Sequence, residues 1–117
     1  MFEDPAQLHR ALSDSTRLRL VALLDGEGEL CVCELVHALD MIQPRISRHL
    51  ALLRDQGVLR TRRSGQWVLY RLNEELPEWA RQVIALTAAA MRETEEGKAD
   101  RARLSGMQER PSQYCCA

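Results

Sequence analysis

Cysteine carries the softest chemistry in this chain, and its four cysteines fall in two pairs. Cys31 and Cys33 stand as C-x-C, and Cys115 and Cys116 are adjacent near the C-terminus. Adjacent cysteines close a disulfide only with strain, so neither pair reads as a structural staple. Thiolates select soft ions over magnesium or calcium. A soft ion held by such a pair needs both sulfurs on the same side. In a regular helix, residues two apart point roughly 200° apart. Binding one ion with both Cys31 and Cys33 is therefore expected to need a distorted or unwound helical turn. A helix N-terminus there is expected to lower thiol pKa. His37 lies nearby, but imidazole suits zinc better and reads as a surface residue.

Arginine forms the second constellation. The formal net charge is −1, and 15 of the 16 basic residues are Arg, with Lys98 the single Lys. The total hides segregation. Residues 43–71 hold seven Arg and only Asp55, a net of +6, while residues 1–42 carry −5. A basic block inside an acidic chain is the footprint of a DNA-binding module. Arg also suits bidentate contacts to phosphate and guanine.

The elements that must position these residues read mainly as helices. Asp4-Pro5 is an N-cap followed by a first-turn proline, opening a short helix to about Ser13. Asp14 caps a second helix, which Gly26 ends. A third covers about 32–39, placing the C-x-C at its start. Asp40 to Gln43 is a turn. Pro44 opens a fourth helix to Asp55, with Ile46, Leu50 and Leu53 on one face and Arg48 nearly opposite. Two short helices joined by a turn form the helix-turn-helix pattern. Residues 58–63 and 66–72 are β-formers around Ser64-Gly65, which reads as a hairpin, or wing, with Arg62 and Arg63 at its tip. Pro77 opens a last helix expected to run to about Glu96, with Gly97 as its stop. Its apolar face, from Val83 to Met91, spans roughly 160°, wider than the stripe of about 100° that one core contact requires. The excess predicts a dimer. Residues 1–97 thus form one domain, and 98–117 a polar tail, flexible or only partly helical, carrying Cys115 and Cys116.

Three stretches together resemble the ArsR/SmtB family, in its arsenic-responsive branch. These are Glu29-Leu30-Cys31-Val32-Cys33-Glu34-Leu35, Gln43 to Arg54, and Gly65 to Leu72. The resemblance covers about residues 6–90. It implies a mostly α winged helix-turn-helix with a small β-hairpin, a homodimer joined through the first and last helices. It further implies a repressor whose apo form binds an operator and is released by a thiophilic ion. Val36 stands where many close relatives carry a third cysteine, and Ile42 where the family often has Ser, so the recognition helix is expected to fray at its start. No cysteine precedes Cys31, unlike the cadmium- and lead-sensing branch, and the last helix lacks the His of the zinc-sensing branch.

The expected effector is As(III) or Sb(III), with no permanent cofactor. Cys31 and Cys33 are the expected ligands, and Cys115, Cys116, a cellular thiol or water could complete the site. Double-stranded DNA with an imperfect inverted repeat is the expected partner. Gln43, Arg45, Ser47, Arg48 and His49 are its candidate contacts on the fourth helix, and Arg62 and Arg63 on the wing. Cd(II)/Pb(II) sensing and cysteine redox sensing are the alternatives on the same scaffold. An enzyme is disfavoured. The C-x5-R loop of one thiol-based reductase and phosphatase type is absent, since His37 and Leu39 occupy its Arg positions. No apolar run approaches the roughly 18 residues of a membrane span. The acidic N-terminus has no signal-peptide core, so a cytoplasmic location is expected.

Overall fold

The structure is a computed structural model describing residues 4–108 and 110. Cys115 and Cys116 lie outside the described residues. Six helices and three strands follow in the order α1 (Pro5–Leu12), α2 (Ser15–Glu27), β1 (Glu29–Cys31), α3 (Val32–Leu39), α4 (Gln43–Asp55), β2 (Leu59–Ser64), β3 (Trp67–Leu72), α5 (Glu78–Arg92) and α6 (Glu95–Ser105). No helix among the described residues is long and apolar enough to cross a membrane.

Side-chain caps set the early boundaries. Asp4 accepts a hydrogen bond from the Ala6 N–H at 3.0 Å, and Asp14 accepts from Thr16 at 2.7 Å and Arg17 at 3.3 Å. Caps of this kind contribute about 1 kcal/mol each. Helix α2 runs through Gly26 and stops one residue beyond it, at Glu27. Leu20, Leu24, Leu30, Leu35, Ile46, Leu50, Leu53 and Leu59 fill one core beneath α2, α3 and α4. Helix α4 starts at Gln43, and its first turn is formed: the Ile46 N–H reaches the Ile42 carbonyl at 3.3 Å. The expected fraying is absent because Pro44 presets the first-turn φ.

The hairpin is as expected, with Ser64 pairing Trp67 and the two-residue loop falling at Gly65-Gln66. Gly65 takes φ +61°, which such a tight loop favours in a glycine. The sequence reading missed a third strand. Strand β1 pairs antiparallel with β3, in the register Glu29↔Arg71, Leu30↔Tyr70 and Cys31↔Leu69, giving the sheet order β1-β3-β2. The segment carrying Cys31 is thus hydrogen-bonded into the wing.

The expected last helix to Glu96 is two helices. Thr94 breaks it and caps α6, its Oγ1 accepting from the Gly97 N–H at 3.0 Å. Gly97 is not a stop. It lies in the first turn of α6, where a Cβ would fall on the Met91 carbonyl oxygen. Of the tail expected from residue 98, residues 98–105 are helical and packed on α3. Leu104 and Asp100 are buried there. Asp100 accepts two hydrogen bonds from the Arg19 guanidinium, at 2.7 and 2.9 Å. The paired guanidinium offsets the desolvation cost of this buried acid, a long-range arrangement that polar composition alone does not reveal.

Candidate functional site

Cys31 ends β1 and is the residue that precedes α3. Its backbone is extended, with φ −89° and ψ 168°. Cys33 is the second residue of the helix. The change of backbone between them removes the 200° divergence, and the two sulfurs face each other at 2.7 Å as free thiols. The divergence expected of two helical residues does not arise here. The pair forms with α3 intact because Cys31 is outside the helix.

Glu34 holds this arrangement through a capping box. The Cys31 N–H donates to Glu34 Oε1 at 2.9 Å, and the Cys31 sulfur accepts from the Glu34 backbone N–H. The Glu34 carboxylate is fully buried and receives Arg110 Nε at 2.8 Å on its other oxygen. The expected lowering of thiol pKa is also corrected for Cys31. Burial pushes its thiol up to about 12, helped by the hydrogen bond to Cys33, and the Glu34 backbone N–H only partly opposes this.

A cavity of about 260 Å³ opens beside the sulfurs, lined by Cys31, Val32, Cys33, Gln43, Trp67 and Val68. Gln43 is the first residue of α4, and Trp67 begins β3. The thiol pair therefore touches a space walled by both elements expected at DNA. A larger hollow of about 420 Å³ lies at the start of α5, lined by residues such as Asp25, Glu78 and Arg81, and no cysteine lines it.

The basic face divides. Gln43, Arg45 and Arg48 are exposed on α4, and Ser47 is half-buried between them. Arg45, Arg48 and Arg63 form no ion pair among the described residues. Arg63 opposes Val68, one step below the hairpin loop. Arg62 lies a step further in, on the other face of the hairpin. It donates twice to Glu29 of β1, at 2.7 and 2.8 Å, so it is tied to the sheet rather than held at the wing tip. His49 turns toward α2, its Nδ1 3.3 Å from Arg17 Nη1. Burial pulls its pKa down, with the Asp14 carboxylate opposing. It packs from α4 against α2 rather than lining up with Arg45 and Arg48.

Sequence reasoning missed Trp67, Glu34, Glu29 and Arg110. Glu34 had a signal, since it stands three residues after Cys31 at the capping-box spacing. Long-range pairs such as Glu29–Arg62 leave none.

Two helices and a turn ahead of a three-stranded wing, with an unpaired basic face on the second helix, define a winged helix-turn-helix DNA-binding regulator. Residues 14–61 match the family described as "Bacterial regulatory protein, arsR family". The chain is 48% identical over 114 residues to the arsenic resistance transcriptional regulator ArsR1 of Pseudomonas putida (strain KT2440), covering 97% of this chain and 88% of that one. It is 56% identical over 80 residues to the arsenical resistance operon repressor of Escherichia coli (strain K12), covering 68% of each. Among solved structures, the AntR antimony-specific transcriptional repressor superposes with a TM-score of 0.60 at 31% identity, covering 74% of this chain and 75% of that one. The chain belongs to the arsR family of bacterial transcriptional regulators, and it is not an enzyme.

Proposed function

We propose that this chain is an arsenite- and antimonite-responsive repressor. Its homodimer binds an imperfect inverted repeat in operator DNA, and As(III) or Sb(III) bonded to Cys31 and Cys33 releases it. The observation that carries the reading is the free thiol pair, its sulfurs 2.7 Å apart, in a cavity walled by Gln43 and Trp67. The names of the Pseudomonas, Escherichia and AntR relatives support the arsenic and antimony chemistry.

The binding step balances without ionising the protein. Neutral As(OH)₃ forms two As–S bonds with the two thiols, and each thiol proton leaves with a hydroxide as water. A thiol held near 12 by burial suits this condensation, because the product is also uncharged. The remaining hydroxide, or a cellular thiol exchanged for it, takes the third position in the cavity. The Cys115→Ser/Cys116→Ser variant therefore keeps its arsenite response.

The switch lies in that third substituent. It enters the space between the start of α4 and the start of β3, and displaces Gln43 and Trp67 from the arrangement that DNA selects. The ion thereby gains differential affinity for one state. A coupling of about 1–3 kcal/mol weakens operator binding roughly 5–150-fold.

On the DNA side, α4 enters the major groove. Arg45 and Arg48 lie one turn apart to reach guanine or phosphate, with Gln43 and Ser47 beside them. Arg63 contacts the backbone from the wing. The exposed Leu86 of α5, with Ala85, Ala89 and Ala90, supplies the apolar face for dimerisation together with α1.

The same sulfur proximity favours a dithiol–disulfide redox sensor as the second reading. Redox-sensing cysteines are low in pKa and accessible, whereas Cys31 is buried and its thiol is raised. Titrating reduced protein on operator DNA with arsenite and with peroxide separates the two. The Cys31→Ser/Cys33→Ser variant is expected to bind operator normally and ignore arsenite. Arsenite release of that variant at the wild-type concentration would overturn the reading.

A further inference from the structure

The C-terminal segment grips α3 at both ends. At its last turn, Arg103 Nε donates to the Ala38 carbonyl at 2.7 Å, and Arg19, held by Asp100 of α6, donates to the Leu39 carbonyl at 3.3 Å. At its first turn, Arg110 Nε donates to Glu34 Oε2 at 2.8 Å, and Arg110 Nη2 donates to Glu27 Oε1 at 3.1 Å. The first-turn contact lies within the sensing constellation. Glu34 is fully buried, and its Oε1 accepts the Cys31 N–H.

We propose that Arg110 is a positioning residue for the thiol pair, acting through Glu34 to fix the extended backbone at Cys31 that turns its sulfur onto Cys33. The inference rests on Cys31 and Cys33 being the arsenite site. A buried carboxylate persists only when paired and hydrogen-bonded. Arg110 supplies that pairing, with its side chain only 12% exposed. Burial opposes the charge on Arg110, and the hydrogen bonds to Glu34 and Glu27 outweigh it, so its pKa is raised. Without Arg110 the carboxylate loses this ion pair, and the bond that orients the Cys31 backbone is weakened. The sulfurs then separate, and the ion must draw them together. Partners that orient metal ligands from behind typically change affinity by about 10–100-fold when removed.

The test uses the full reduced chain. Arsenite binding is read from the ultraviolet absorbance of As–S bonds, and operator affinity without arsenite is read separately. Arg110→Gln is expected to raise the arsenite midpoint about tenfold and leave operator affinity within about twofold. Arg110→Lys is expected to recover part of the loss. The Glu34→Gln/Arg110→Gln double variant should recover more, because a neutral amide oxygen still accepts the Cys31 N–H and needs no cation. An unchanged midpoint in Arg110→Gln overturns the proposal. So does a parallel fall in arsenite binding, operator affinity and melting temperature that neither second variant reverses, since that is a structural role only. If the Cys31→Ser/Cys33→Ser control retains the full As–S band, the site itself is misplaced and the inference falls with it. A normal control beside an unaffected Arg110→Gln defeats the inference alone.

Discussion

Arsenite and cadmium should part company with pH at the Cys31–Cys33 pair. The cause is proton bookkeeping at a buried thiol. Burial and the neighbouring Cys33 hold the Cys31 thiol up at about 12, against an ordinary value of 9.0. Arsenite arrives with its own hydroxides, so condensation with two thiols releases water and no net protons. Cadmium arrives as a cation and must displace two protons into solution. Between pH 6.5 and 7.5 its affinity should therefore rise about a hundredfold, while that of arsenite stays nearly constant. The elevated Cys31 thiol adds a standing handicap. An ion that requires the thiolate must first ionise that raised thiol, whereas arsenite condenses with it in its neutral form. The assay is release of fluorescent operator DNA from reduced protein, titrated with each ion at three pH values across that interval. An arsenite midpoint that falls tenfold or more over the interval would refute the argument. So would a cadmium midpoint that is flat and comparable to that of arsenite.

Three further outcomes follow from the geometry. In the wing, Arg63→Ala should lower the salt slope of operator binding by about 0.9, the value for one phosphate contact, and Arg62→Ala by less. Glu29→Gln should raise the slope by freeing Arg62 from its two hydrogen bonds, and equal slopes for all three variants would contradict this assignment. Asp100→Ala strands the buried Arg19 guanidinium and should cost about 3–5 kcal/mol in urea unfolding, far more than a surface acid. Gly97→Ala drives a methyl onto the Met91 carbonyl and should cost about 1–3 kcal/mol by thermal melting, while alanine at the exposed Gly106 should be tolerated.

Regular periods and strong punctuation made most of the helices and the wing legible. Helix α3 falls on the predicted residues, and Ile46, Leu50 and Leu53 are the buried face of α4. What escaped was either short or long-range. A three-residue strand has no period, so β1 was invisible until its pairing with β3 was seen. Helix α6 has no apolar stripe, because its buried surface is carried by Leu104, Gly97 and the ion-paired Asp100. Gly97 looked like a stop because a glycine near the end of an apolar stripe usually is one. Here the missing side chain serves close approach. The C-x-C pair was legible as residues and not as geometry. Treating Cys31 as helical put the sulfurs on opposite sides, and one extended residue puts them together.

That single backbone change also alters how sensing reaches DNA. A site that had to unwind α3 would spend ion-binding free energy on breaking helix before moving anything else. With the sulfurs already adjacent, an ion bound there in the proposed way would spend little of its binding energy on breaking helix. Cys31 is paired with Leu69 of β3, and Glu29, two residues earlier, holds Arg62 of β2. Trp67, on the same strand as Leu69, closes the cavity with Gln43. In the proposed mechanism, a substituent wedged there would press on the wing and the recognition helix at once. The wing cannot yield without straining a sheet that contains Cys31 itself. A small outward displacement at the sulfurs is therefore divided between two DNA-contacting elements whose relative spacing fixes the fit to the groove. On that proposal, losing the spacing would release DNA without melting any element of the fold.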